Sequence, residues 1–190
     1  YASVSVTNAG EGQHGDGEDA WLHCIIGDHE GSSSLTVTDN ASVEVFYTRG
    51  TRRQDDTDDY EGGYAGIENV KNITVSGNGS LTADMLYVKE GYTFTQTGGN
   101  VAIKSIGGVW LNDAQNANVT YEGIFVEGGE LNISGGRMTI DSVFEGDMFS
   151  LTQGIHVNEG GLMKMSGGDV TVHNGGNWGC NLILGGGSNL

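Results

Sequence analysis

The sequence predicts an all-β chain organised as a solenoid of about six coils, each of three short strands, and three observations carry that reading. The first is composition: of 190 residues 34 are glycine and none is proline. Glycine at this density costs roughly 1 kcal/mol per helical position relative to alanine, which excludes long helices. Proline would remove a ladder donor from a strand, so its absence fits strands. The second observation is an internal repeat, and the third is a period-two alternation of apolar residues inside each copy.

The repeat is clearest in the second half. G-I-F-V-E-G-G-E-L-N-I-S-G-G-R-M-T-I at 123–140 matches G-I-H-V-N-E-G-G-L-M-K-M-S-G-G-D-V-T-V at 154–172 after one gap, and 86–103 aligns with 155–172 without any. Within a copy, Ile124 and Val126, then Leu131 and Ile133, then Met138 and Ile140 point to one side; Ile155 and Val157, Met163 and Met165, Val170 and Val172 repeat those columns. Earlier coils are placed by the Ser or Thr that closes the second strand, giving the series Thr7, Thr38, Ser76, Thr97, Ser134 and Ser166. An inward apolar residue follows at Val43, Leu81, Val101, Met138 and Val170, whereas Glu11, Gly12 and Gln13 fill that place after Thr7. A single coil cannot bury its apolar side, but stacked coils align like residues at the strand spacing of roughly 4.8 Å. Glycine marks the corners, where positive φ or close backbone approach is needed.

The pattern G-I-x-V followed by G-x-L-x-I-S-G-G-x-V-T-I resembles the coils of extracellular parallel β-helix proteins of the pectin-lyase-like superfold, and more narrowly the β-helical carbohydrate-binding repeats of bacterial surface proteins. The resemblance covers 66–190 well and 1–65 loosely. It implies a right-handed parallel β-helix, secretion or display at the cell surface, and a glycan ligand. The chain is read as one β-helix domain over 1–190, and its opening on Tyr1 as a processed or excised piece of a longer protein.

Charge narrows the partners. Acidic residues number 25 against 8 basic ones, a formal −17, and phosphate binding needs a cationic face, so nucleic acid is excluded. No apolar run approaches the roughly 20 residues of a membrane-spanning helix, so no membrane insertion is expected. Cys24 and Cys180 fall about five coils apart. At the strand spacing that is roughly 24 Å, too far for a disulfide.

Four segments leave the repeat, at 11–19, 46–64, 104–118 and 141–153, and insertions of this kind are where a repeat protein carries function. The second is the longest. Its Tyr47, Arg49, Arg52, Arg53 and Tyr60, with Trp110 of the third, suit a glycan: rings stack on apolar sugar faces and guanidinium forks grip carboxylates. A self-contained salt-bridged loop is the competing reading. Asp55, Asp56, Asp58 and Asp59 are candidate ligands for Ca²⁺, which takes six to eight oxygens, although the spacing is not that of an EF-hand and a solvated acidic loop is the simpler reading.

Catalysis has less support. Hydrolases of the resembled superfold carry an Asn-x-Asp strand, an Asp-Asp pair, a Gly-His-Gly and an Arg-x-Lys in order along the coils. Here His14-Gly15 precedes Asp55-Asp56, Gln13 replaces the first glycine, and no Arg-x-Lys exists. The five histidines form no ligand motif, and His156, between inward Ile155 and Val157, points to solvent. The reading is a non-catalytic adhesion or glycan-binding segment of a bacterial surface protein, binding a polysaccharide or host glycan; the alternatives are a polysaccharide lyase or glycoside hydrolase domain and a structural stalk. At the C-terminal end, 181–184 repeats the first strand of a coil and Leu190 falls where Leu131 or Met163 opens the second, so stacking by further coils or by another copy of the chain is expected there.

Overall fold

The computed structural model describes residues 3–8, 23–26, 33–47, 66–68, 70–83, 85–104, 119–142, 150–174 and 180–190. Among the described residues every regular element is a strand. In chain order these are β1 (Ser3–Asn8), β2 (His23–Ile26), β3 (Ser34–Val37), β4 (Ser42–Tyr47), β5 (Gly66–Glu68), β6 (Asn72–Val75) and β7 (Ser80–Ala83). They continue as β8 (Met85–Lys89), β9 (Thr93–Lys104), β10 (Val119–Glu127), β11 (Glu130–Ser142), β12 (Ser150–Asn158), β13 (Leu162–Asn174) and β14 (Cys180–Leu184). The alternation that predicts them is visible in burial: Leu81 and Ala83 of β7 are buried while Ser80 and Thr82 are partly exposed.

Every pairing between these strands is parallel. One sheet runs β1-β4-β7-β9-β11-β13, with β3 joined to β6 and β6 to β9, making eight strands; the other runs β2-β5-β8-β10-β12-β14. From β8 onward the chain therefore crosses from one sheet to the other at each successive strand.

This arrangement corrects the expected fold. A right-handed β-helix of about six coils with three short strands apiece is not what the structure shows: the eight-stranded sheet is a parallel half-barrel, and the six-stranded sheet stands as a second, separate one. The second and third strands expected of each later repeat are a single strand of 12 residues in β9 and of 13 in β11 and β13. Only the earlier pairs, β3 with β4 and β6 with β7, remain separate. The cause lies in the glycine pairs read as corners. Gly99 and Gly136 take φ of +69° and +82°, and the register shifts there without ending the strand, as a bulge does. A Cβ on Gly99 would collide with the carbonyl oxygen of Gly79, so no larger residue fits the bend.

The inward columns are where the alternation puts them. Ile124, Val126, Leu131, Ile133, Met138 and Ile140 are all buried, together with Leu86, Val88, Phe94, Val101 and Ile103 from the preceding repeat. Burying such a side chain stabilises the fold by ~1.5–3 kcal/mol against leaving it in water. The Ser and Thr series is also physically stacked at one point, where the Ser76 hydroxyl donates to Thr38 Oγ1 at 2.9 Å. Met165 departs from the expected burial and is 48% exposed, as are Leu182 at 42% and Leu184 at 48%. These three sit in β13 and β14, the last strands of their sheets, whereas their register partners Ile133, Ile155 and Val157 have strands on both sides and are buried.

One polar side chain interrupts the core. Gln96 is fully buried and shares its column with Val75 and Ile133. Its Nε2 donates to the carbonyl oxygens of Arg137 at 3.0 Å and Gly99 at 3.4 Å, tying together two strands where both bend. Its Oε1 has no partner among the described residues. Among those residues, too, no helix is long and apolar enough to cross a membrane.

Candidate functional site: an aromatic row beside a notch

The residues expected to carry function lie mostly outside the described part of the chain. Arg49, Arg52, Arg53, Tyr60, Trp110 and the four aspartates Asp55, Asp56, Asp58 and Asp59 all fall there. Tyr47 closes β4, its backbone in register with Asn8 of β1. Cys24 and Cys180 belong to β2 and β14, the two opposite edges of the six-stranded sheet. Five strand spacings of about 4.8 Å separate those edges, beyond the reach of a disulfide.

What the structure does bring together is on the outer face of the six-stranded sheet. In β8, β10 and β12 the residue between the two inward apolar positions is Tyr87, Phe125 and His156, and parallel register places the three side by side. Tyr87 and Phe125 stack with centroids 5.4 Å apart and planes 7° from parallel. Phe125 and His156 are 5.0 Å apart and tilted by 37°. Strand spacing imposes this geometry, since like positions on neighbouring parallel strands sit one ladder step apart. Because Tyr87 and Phe125 cover each other's faces, the row offers solvent a ridge of ring edges. Ring edges carry the positive end of the aromatic quadrupole and suit hydroxyl oxygens.

Beside the row is a cleft of about 590 Å³, and the repeat explains its origin. Lys89, Glu127 and Asn158 are register partners at the ends of β8, β10 and β12, and Thr93, Glu130 and Leu162 are register partners at the starts of β9, β11 and β13. Between those points the first chain turn holds Glu90, Gly91 and Tyr92, and the last holds Glu159, Gly160 and Gly161. The middle turn holds only Gly128 and Gly129. One missing residue leaves a notch between two taller corners. Gly128 is its floor: φ is +69°, and a Cβ there would sit 3.1 Å from Glu90 Cβ and 3.5 Å from the Glu159 carbonyl oxygen. Tyr87, Lys89, Glu90, Glu127, Glu159 and Gly160 complete its lining.

The turns themselves hold the taller corners in place. Tyr92 N–H donates to the Lys89 carbonyl at 2.9 Å and Gly161 N–H to that of Asn158 at 2.8 Å, closing the two longer corners. Glu159 takes a positive φ, in the left-handed region. That conformation costs a residue with a Cβ on the order of 1 kcal/mol. The Tyr87 hydroxyl donates to a carboxylate oxygen of Glu127, and Lys89 Nζ lies 5.0 Å from the centroid of the Tyr92 ring. Glu90 and Glu159 are exposed, while Lys89 and Glu127 are partly buried. The cleft thus combines three carboxylates, one ammonium, a phenol and a flanking aromatic ridge.

Two signals for this site were present in the sequence. The single gap needed to align 123–140 with 154–172 is the missing corner residue, and the middle letter of L-Y-V, I-F-V and I-H-V is the ring row. The outward direction of His156 was legible, but its partnership with Phe125 and Tyr87, which leaves it half-buried, was not, because register is needed to set the three strands in line. Among the described residues no group of three or more His, Cys, Asp or Glu side chains is close enough to hold a metal ion. No protein-family model, no curated protein and no solved structure matches the chain.

Proposed function

We propose that the chain is a non-catalytic adhesion or glycan-binding segment of a secreted or surface-displayed bacterial protein, and that its site is the outer face of the six-stranded sheet. The single observation that carries the reading is the Tyr87, Phe125 and His156 row running alongside a polar cleft. Ring edges next to hydrogen-bonding groups suit a sugar, because its hydroxyl oxygens meet the positive ring edges and its hydroxyl protons the carboxylates.

A glycan array probed with the wild-type chain and with Phe125→Ala tests it. The expected outcome is binding to a defined subset of glycans that is lost in the variant. A parallel assay for reducing ends or unsaturated products should remain flat. Binding unaffected by Phe125→Ala would remove the site, and product formation would replace a binder with an enzyme.

A further inference from the structure

The site's shape and charge say more about its ligand, on the footing that the chain binds glycans. The ring row follows the direction in which the strands stack, so equivalent groups recur at every ladder step from Tyr87 through Phe125 to His156, and Ile183 of β14 continues the same register. A ligand laid along that direction meets a new contact with each unit, whereas a single sugar meets one. The notch opens beside that line, over Gly128, with Tyr87 common to both. Its charge is decided by Glu90, Glu127 and Glu159 against Lys89, within a chain of formal charge −17. Such a cleft repels uronates and sulfated sugars and attracts cations. Glu127 already accepts from the Tyr87 hydroxyl, which leaves Glu90 and Glu159, both exposed and both lining the cleft around Gly128, as the carboxylates best placed to meet a bound ammonium.

We infer that the site takes a linear, amine-bearing polysaccharide lying along the strand-stacking direction, with its sugar units on the Tyr87, Phe125 and His156 ridge and an amino group in the notch between Glu90 and Glu159. This reverses the ligand charge suggested by Arg49, Arg52 and Arg53, which suited carboxylated sugars.

Titration calorimetry with glucosamine oligomers from monomer to hexamer tests the inference at about pH 6, where amines of this kind are largely protonated. Affinity should rise with chain length and then level off, and should fall with added salt. The double variant Glu90→Gln with Glu159→Gln, both exposed positions, should bind about tenfold more weakly, the loss of charge-assisted contacts to one ammonium. The same ladder is run with N-acetylated glucosamine oligomers, with galacturonate oligomers and with oligolysine. Preference for the acetylated or uronate chains would overturn the inference and leave glycan binding standing. Equal binding of oligolysine would also overturn it, since the site would then read charge and not sugar. Absence of binding by every saccharide would overturn both this inference and the function on which it rests.

Discussion

On the outer face of the six-stranded sheet, successive register partners are Tyr87, Phe125 and His156; on the eight-stranded sheet a comparable outward row reads Thr36, Thr74, Thr95, Asn132 and Lys164. Behind both rows the inward neighbours are alike: Leu86, Ile124 and Ile155 behind the first, Ile73, Phe94 and Leu131 behind the second, all buried. The stacked interior constrains inward positions tightly and outward ones hardly at all, so two outer rows supported by equivalent cores diverge. Threonines suit a solvated sheet face for their β-branched backbone preference. Stacked rings are not needed for that, and in the six-stranded sheet they flank the notch.

The largest effects are expected in the buried columns that both sheets share. Leu131 is a fully buried side chain on β11, between β9 and β13. Leu131→Ala should cost about 2–5 kcal/mol, read as a drop in the midpoint of urea unfolding. Next in size is Gln96→Ala, which strands the carbonyls of Arg137 and Gly99. It should cost ~1–3 kcal/mol in the same assay. A result near zero would mean that those carbonyls find other partners.

The outer rows separate the two sheets with smaller energies. Gly128→Ala forces a Cβ into the left-handed region and against Glu90. The variant should lose on the order of 1 kcal/mol of stability and, with the notch narrowed, bind glycan more weakly by calorimetry. Phe125→Ala removes the middle ring of the row. Beyond its lost burial that should cost on the order of 1 kcal/mol, with binding abolished. Thr139 lies on the outward face of the eight-stranded sheet, between inward Met138 and Ile140. Thr139 is half-buried, with its hydroxyl donating to the Val101 carbonyl at 3.5 Å, so Thr139→Ala should cost no more than about 0.5–1 kcal/mol and leave binding unchanged. Equal loss of binding in Thr139→Ala and Phe125→Ala would erase the distinction between the faces.

How much of this was legible follows from what each residue pattern encodes. Strands and their inward columns follow from alternation alone, because Ile124, Val126, Leu131 and Ile133 have no other reason to recur at period two. The division into three short strands failed at Gly98-Gly99 and Gly135-Gly136. A glycine pair marks a bend whether or not the hydrogen-bonded ladder continues through it, and here it continues with a register shift. For the site, composition drew attention to the cationic and acidic residues of 46–64, which lie largely outside the described residues. Tyr87, Phe125 and His156 are far apart in sequence, each in a different repeat, and only the parallel register makes them neighbours.

Glycan recognition by the ring row and notch of the six-stranded sheet is the proposal on which these predictions converge. Its most direct test is a two-dimensional NMR titration of the isotope-labelled chain with a glucosamine hexamer. Shifts are expected to concentrate at Tyr87, Phe125, His156, Glu90, Gly128 and Glu159, with Thr95, Asn132, Thr139 and Thr171 unmoved. Shifts confined to the eight-stranded sheet, or to residues 46–64, would contradict it.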